Sequence, residues 1–361
     1  MKKNIFWIIS NSSGELDYFL PIINEIKIIK KNFTFDTIFI SDFVYEQFLK
    51  DKFYLDFFQS HNIEFTKIKT FSDCKINFLR RFLYFTSFMS YFPKFMFKFI
   101  KSNAIITEKS SQTFVSKVLA FLNKIFRKKI FLISTGQHIY IKNTPMFKNI
   151  IPNVYGLCSM KEEDEHFTNA KIFNLVYTGH PINSKYWKKH LKKYYSKEKI
   201  VIVTQAPAKN MYSYDGFIEL IKSIVFLIRK DFSQEIEIKL HPRQLEDSSL
   251  IEALTSQIKF QKVNFTGESL FSLSQNCILC IGFSTSGIWI PISQGVPTIN
   301  YEVQTDIDIN YPFEYAGIKS TRNLSELEEI IKNFRNDEQL LSNSYVEKIP
   351  VLDINSFCEI I

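Results

Sequence analysis

Two short segments of the sequence carry residue types that hold phosphate. In the first, His241-Pro242-Arg243 directly follows the strand-like run Ile236–Leu240. A His and an Arg at a strand's end supply an imidazole and a guanidinium fork, which together suit a diphosphate or a phosphate joined to a sugar. In the second, Ser284-Thr285-Ser286-Gly287 follows a strand ending at Gly282 and precedes the apolar run Ile288–Ile292. A hydroxyl residue capping a new helix leaves backbone N–H groups pointing outward at the positive end of the helix dipole, and Ser and Thr hydroxyls add neutral donors. Thr204-Gln205-Ala206-Pro207 closes a third strand and falls on the same rim. Each segment alone fits an ordinary turn or cap. Two anion-competent loops at the strand ends of one sheet point to phosphate.

The first half of the chain offers groups for proton transfer. Ser13-Gly14-Glu15-Leu16-Asp17 follows the first strand, and Thr135-Gly136-Gln137-His138 follows the strand Lys129–Ser134. Glu15, with Asp17 as its substitute and His138 as an alternative, is placed to take a proton from an attacking hydroxyl. Glu15 fits equally well as a first-turn acid complementing a helix dipole, and His138 as a loop histidine.

The elements that must position these residues alternate between strand-like and helix-like periods, which predicts an α/β fold with parallel sheets covered by helices. Ile5–Ile9, Phe35–Ile40, Ala104–Thr107 and Ile130–Ser134 read as strands, with Glu15–Ile29 as a helix. The pattern restarts at Lys199–Thr204, continues through Ile236–Leu240 and Cys277–Gly282, and ends at Pro297–Tyr301. The polar stretch Lys185–Lys199 separates the two series. Two doubly wound, Rossmann-like domains follow, residues 1–192 and 193–361, facing across a cleft. Ligands of such sheets bind outside the carboxyl ends of the strands.

Lys239-Leu240-His241-Pro242-Arg243, Gly282-Phe283-Ser284-Thr285-Ser286-Gly287 and Gln294-Gly295-Val296-Pro297-Thr298-Ile299 together resemble the donor-binding domain of GT-B glycosyltransferases. More narrowly, they resemble the bacterial sialyltransferase and capsule-type Kdo transferase group. The resemblance implies that His241, Ser284, Thr285 and Ser286 contact the phosphate of a CMP-sugar. Ser13-Gly14-Glu15, followed after four residues by Leu20-Pro21, is similar to the N-terminal loop of lipid A Kdo transferases, which gives Glu15 the role of catalytic base. The paired-acid-glycine motif usual in the sialyltransferase group is missing from the first half. The implied activity is inverting transfer of Kdo or a nonulosonic acid such as sialic acid to a surface glycan or glycolipid, in capsule or lipopolysaccharide biosynthesis. It needs no metal and no cofactor beyond the nucleotide-sugar. A transferase using a UDP-sugar or CDP-glycerol, or a nucleotide-sugar 2-epimerase or hydrolase of the same fold, is the alternative.

Composition sets the surroundings. The 361 residues include only 10 glycines but 37 phenylalanines, and the five cysteines are odd in number and scattered, as in a reducing cytoplasm. The net charge of +8 hides a division, with 32 Lys+Arg against 16 Asp+Glu in residues 1–200 and 13 against 21 in the rest. Residues 67–129 hold 14 Lys+Arg and two acids, Asp73 and Glu108, among runs of phenylalanine. That mixture suits a helix lying on an anionic membrane surface, here the inner face of the cytoplasmic membrane, as well as a core with a solvated basic face. The aromatics come in runs rather than spaced along a polar groove, which argues against nucleic acid. An epimerase, needing no membrane contact, should lack an exposed surface of this kind. Cys277 and Cys280 fall in an apolar strand and read as core rather than a zinc knuckle, and Lys161–His166 reads as a solvated helix start.

Overall fold

The computed structural model describes residues 3–10, 14–71, 76–108, 114–133, 153–159, 167, 172, 174–189, 198–205, 213–245, 247–303, 318–334 and 349–361. These divide into two compact units. The first runs to Tyr186 and includes Pro350–Ile361; the second is Trp187–Ile349.

The first unit is built in the order β1 (Lys3–Ile9), α1 (Gly14–Ile29), β2 (Phe33–Phe39), α2 (Asp42–Lys50), α3 (Lys52–Ser60), β3 (Glu64–Lys67), α4 (Asn77–Lys101), β4 (Ala104–Glu108), α5 (Phe114–Phe126), β5 (Lys129–Ile133), β6 (Val154–Cys158) and β7 (Leu175–Tyr177). All the strand pairs are parallel, in the order β3-β2-β1-β4-β5-β6-β7. The lysines before Ile5 therefore lead into a buried central strand, because an unbroken apolar run suits a strand covered on both faces. A 3-10 turn at Pro181–Asn183 and the short helix α6 (Lys185–Lys189) end this part of the chain.

The second unit follows as β8 (Lys199–Val203), α7 (Tyr214–Asp231), β9 (Glu235–Lys239), α8 (Pro242–Leu245), α9 (Ser248–Gln257), β10 (Val263–Thr266), α10 (Leu270–Ser274), β11 (Cys277–Phe283), α11 (Trp289–Ser293), β12 (Thr298–Tyr301), β13 (Lys319–Thr321) and α12 (Leu324–Asn333). Its parallel sheet has the order β10-β9-β8-β11-β12-β13. In both sheets the strand order reverses beside the first strand, between β1 and β4 and between β8 and β11. In open sheets of this kind ligands bind at the carboxyl ends of the strands that flank such a reversal.

The expected boundary at 192/193 differs from the observed division in two ways. The observed division falls inside α6, between Tyr186 and Trp187, and the last residues return to the first unit. Val351 forms a parallel bridge with His180, and α13 (Asn355–Ile360) sets Phe357 edge-on against Phe131 of β5, with ring centroids 4.6 Å apart. Burial of Leu352, Ile354 and Phe357 holds this segment in place, a non-local contact that chain order alone does not reveal.

Candidate functional site

The reversal point of the second sheet gathers the expected phosphate residues. Thr204 and Gln205 follow β8, His241 follows β9, and Ser284, Thr285 and Ser286 follow β11. Gly282 permits this last turn to fold back, since a methyl group there would stand 1.9 Å from Ile288 Cγ2. A Cβ on Gly287 would lie 3.2 Å from Val203 Cγ1, so the turn after β11 rests against the end of β8.

Within this rim the hydroxyls have separate duties. Thr204 is buried; its hydroxyl donates to Gln244 Oε1 at 2.7 Å and accepts the His241 amide at 3.2 Å. The same amide reaches Gln244 Oε1 at 2.6 Å, and Gln244 Nε2 donates to Gln205 O at 3.4 Å. Thr204 thus fixes the His241 loop instead of offering a free hydroxyl. Gln244, which the sequence reading passed over, is the buried centre of that network. Pro242 and Arg243 open α8, where proline's missing N–H costs nothing. Their side chains lie outside the described residues.

Ser284 is likewise committed. Its hydroxyl donates to Tyr301 O at 3.3 Å and accepts the Val303 amide at 2.9 Å, tying β11 to β12. Its φ of +47° is a left-handed conformation that a non-glycine residue holds only where its surroundings enforce it. Thr285 caps the following 3-10 turn by accepting the Gly287 amide at 3.3 Å. The expected helix start is a 3-10 turn, Ser286–Ile288, leading into the five-residue α11. Ser286 remains half-buried and makes no side-chain hydrogen bond among the described residues. It is the hydroxyl of this rim left available to a ligand.

The proton-transfer candidates of the first unit stand differently. Glu15, expected to face a cleft, has no exposed surface; both of its carboxylate oxygens accept the Ser10 amide at 3.1 Å, and Oε1 lies 3.4 Å from Ser10 Oγ. It closes the loop after β1, as an acid does at a helix's first turn. Asp17 accepts the Tyr54 hydroxyl at 2.7 Å, joining α1 to α3, and burial followed by the Asp17 charge pushes the Tyr54 phenol well above its usual range. His138 lies outside the described residues, as do Lys161–His166. Glu108, earlier counted only as an acid in a basic region, is buried at the carboxyl end of β4 beside β1, on the rim that also carries Ser10 and Glu15. A lone acid ending an apolar strand was the signal for it.

His180, in the Thr178-Gly179-His180-Pro181 turn, is structural. Its Nδ1 accepts the Ile182 amide at 3.1 Å, Nε2 lies 3.3 Å from the Tyr18 hydroxyl, and burial pushes its pKa down to about 3. Because the folded value lies below the ordinary 6.5, protonation favours the unfolded chain. The stability contribution is complete above pH 6.5 and is lost as pH falls toward 3. Between pH 7 and pH 5 the wild type should lose about 2 kcal/mol more than His180→Gln, measured as the difference in urea unfolding free energy. Parallel pH profiles for the two proteins would refute this.

Among the described residues no group of three or more His, Cys, Asp or Glu is placed to hold a metal ion. Cys277 and Cys280 are buried in β11 and form no disulfide, the Cys277 thiol donates to Leu279 O at 3.0 Å, and burial pushes the Cys280 thiol well up.

Solved structures share this architecture. A Listeria monocytogenes protein provisionally named a UDP-N-acetylglucosamine 2-epimerase matches with a TM-score of 0.67 at 10% identity, covering 96% of this chain and 91% of that one. The Methanocaldococcus jannaschii UDP-GlcNAc 2-epimerase, solved with UDP-GlcNAc and UDP, matches with a TM-score of 0.62 at 14% identity, over 96% and 98% of the two chains. An Escherichia coli heptosyltransferase with ADP-2-deoxy-2-fluoro heptose matches with a TM-score of 0.50 at 11% identity, over 93% and 99%. The chain has the GT-B-like fold of these nucleotide-sugar enzymes. No protein-family profile and no curated protein sequence matches it.

Proposed function

We propose that this protein is an enzyme acting on a nucleotide-diphosphate sugar, UDP-linked in preference to CMP-linked, with chemistry of the nucleotide-sugar 2-epimerase or hydrolase kind. The observation that carries the reading is the turn after β11. Strained Ser284 and capping Thr285 hold Ser286 half-open beside the end of β8, next to the loop that Gln244 builds around His241. A diphosphate there meets one free hydroxyl and one imidazole-bearing loop. The Methanocaldococcus jannaschii epimerase, solved with UDP-GlcNAc and UDP, supports uridine over cytidine. Removing the C2 proton of the sugar forms a C1=C2 double bond as the diphosphate leaves C1. Inversion follows when a proton is returned to the opposite face and the diphosphate adds back, which requires a base on one face and an acid on the other. Glu15 and Glu108, on adjacent strand ends of the first unit, are the carboxylates nearest that description.

A second reading is the inverting transferase with a CMP-linked Kdo or nonulosonic acid donor and a glycan or glycolipid acceptor. The apolar and basic surface of α4 and α5 favours it, because a membrane-bound acceptor makes such a surface useful and a soluble epimerisation does not. In either reading Glu15 must leave Ser10 to act as base.

Thermal unfolding with UDP, CMP and ADP separates these cases, because a ligand that binds the folded state raises its midpoint. UDP should raise it and CMP should not. Ser286→Ala should weaken UDP binding by roughly 10- to 100-fold, the loss of one hydrogen bond to a charged group. A shift with CMP alone moves the assignment to the second reading; no shift with any nucleotide sinks both.

A further inference from the structure

Helix α4 presents three faces. Phe88, Phe95 and Phe99 point into the core of the first unit. Phe78, Phe82, Phe85 and Met89 recur at steps of four, three and four, which places them on one stripe of the helix. That stripe is in solvent: Phe78 is 81% exposed and Phe82 55%. Farther round lies Phe97, 65% exposed, and beyond it the exposed cations Arg80, Lys94 and Lys101. Helix α5 repeats the pattern, with Phe121 and Ile125 exposed at a spacing of four beside exposed Lys117 and Lys124. The two helices lie side by side, since Phe85 meets Phe114 at 5.7 Å and Phe99 meets Phe126 at 5.6 Å between ring centroids. Neither helix contains an acidic residue.

Exposed phenylalanines at helical spacing cost free energy in water unless something covers them. The charges select what that is. A second copy presenting the same face would set cations against cations, because a two-fold interface pairs a patch with itself. An anionic lipid surface accepts both features, with the rings below the headgroups and the Lys and Arg side chains among the phosphates. No helix among the described residues is long and apolar enough to cross a membrane, so the contact is one of lying on the surface. We infer that α4 and α5 together form a docking face for the surface of an anionic phospholipid bilayer. The inference is independent of which nucleotide the second unit binds.

Flotation of the full chain with phosphatidylglycerol/phosphatidylcholine vesicles, and with phosphatidylcholine alone, tests it without substrate. The wild type should float with the anionic vesicles and much less with the neutral ones, and should come off as salt is raised. Arg80→Gln/Lys94→Gln/Lys101→Gln should weaken partitioning by about a hundredfold, at about fivefold per charge. Phe78→Ser/Phe82→Ser/Phe121→Ser should also abolish flotation, with the melting temperature and any nucleotide shift kept, because these side chains are outside the core. No flotation of the wild type, or flotation that neither variant alters, overturns the inference. A concentration-dependent dimer that the Phe→Ser variant dissociates, without vesicle binding, overturns it in favour of self-association. Nucleic acid binding lost in the Gln variant, again without vesicle binding, overturns it in favour of a polyanion.

Discussion

Gly179→Ala should destabilise the first unit by roughly 3–5 kcal/mol, far more than one added methyl group usually does. Gly179 holds φ at +68°, a left-handed conformation that costs an L-residue about 1–2 kcal/mol. The added Cβ would also stand 2.0 Å from Val351 O and 2.6 Å from its carbonyl carbon, both backbone atoms with no rotamer to change. Either the turn or the returning C-terminal segment must give way. Three backbone bonds join them: His180 N–H to Pro350 O at 3.0 Å, Leu352 N–H to Asn183 O at 3.1 Å, and Asp353 N–H to Thr178 O at 2.6 Å. Each is worth about 1 kcal/mol, so losing two or three brings the total to the stated range. Gly216→Ala, in the first turn of helix α7, is the control: its Cβ would stand 3.3 Å from the Ser213 hydroxyl, a side-chain atom that can shift, and the change should stay within about 1 kcal/mol of the wild type. Urea unfolding free energies measure both. A Gly179→Ala protein as stable as the wild type would show that the C-terminal return contributes little.

That return also marks what the sequence withheld. Strands β1, β8 and β11 announce themselves because a parallel strand buried on both faces reads as a nearly unbroken apolar run, whereas β9 and the start of β2 show the alternation of apolar and polar residues. Leu175–Tyr177 and Lys319–Thr321, three residues each, carry no period to detect, and the packing of residues 350–361 on the first unit is a contact between the two ends of a unit's sequence. The rim was legible as motifs but not as roles. Ser, Thr and His after strands identify the loops, yet which hydroxyl is spent on the backbone depends on local φ and on partners such as Tyr301, Val303 and Gln244. Thr204 and Ser284 are spent, and Ser286 is not. Glu15 shows the same limit, since a carboxylate in a first turn looks alike in sequence whether it faces solvent or folds back onto Ser10. The run of phenylalanines was ambiguous for a related reason. Phe88, Phe95 and Phe99 are core while Phe78, Phe82, Phe85 and Phe97 are exposed, and the helical spacing that separates the two sets becomes decisive only when α4 is seen to be a single helix from Asn77 to Lys101.

Lys98→Met should cost roughly 3–5 kcal/mol at pH 7, the usual penalty for leaving one member of a buried ion pair alone. Lys98 counts in the sequence among the cations of the basic region, but its ammonium turns inward and bonds Asp36 of β2, with Glu64 at 3.2 Å. Glu64 is mostly in solvent and adds little. Asp36 is 7% exposed and also accepts Asn4 Nδ2 at 2.7 Å. Burial by itself pushes the Asp36 carboxyl up; the Lys98 ammonium and the Asn4 amide outweigh it and hold the group below its usual range. Methionine keeps most of the side chain's volume and removes the charge, so burial then acts with only Asn4 to oppose it. The Asp36 carboxyl rises above its unfolded value, and a group raised in that way gains stability for the fold as pH falls through it. The gap between the wild type and Lys98→Met should therefore narrow from pH 7 to pH 4, and adding Asp36→Asn should recover most of the loss at pH 7 by removing the stranded charge. A gap that stays constant with pH, and that Asp36→Asn does not close, would mean that Lys98 anchors α4 through its aliphatic stem and not through its charge.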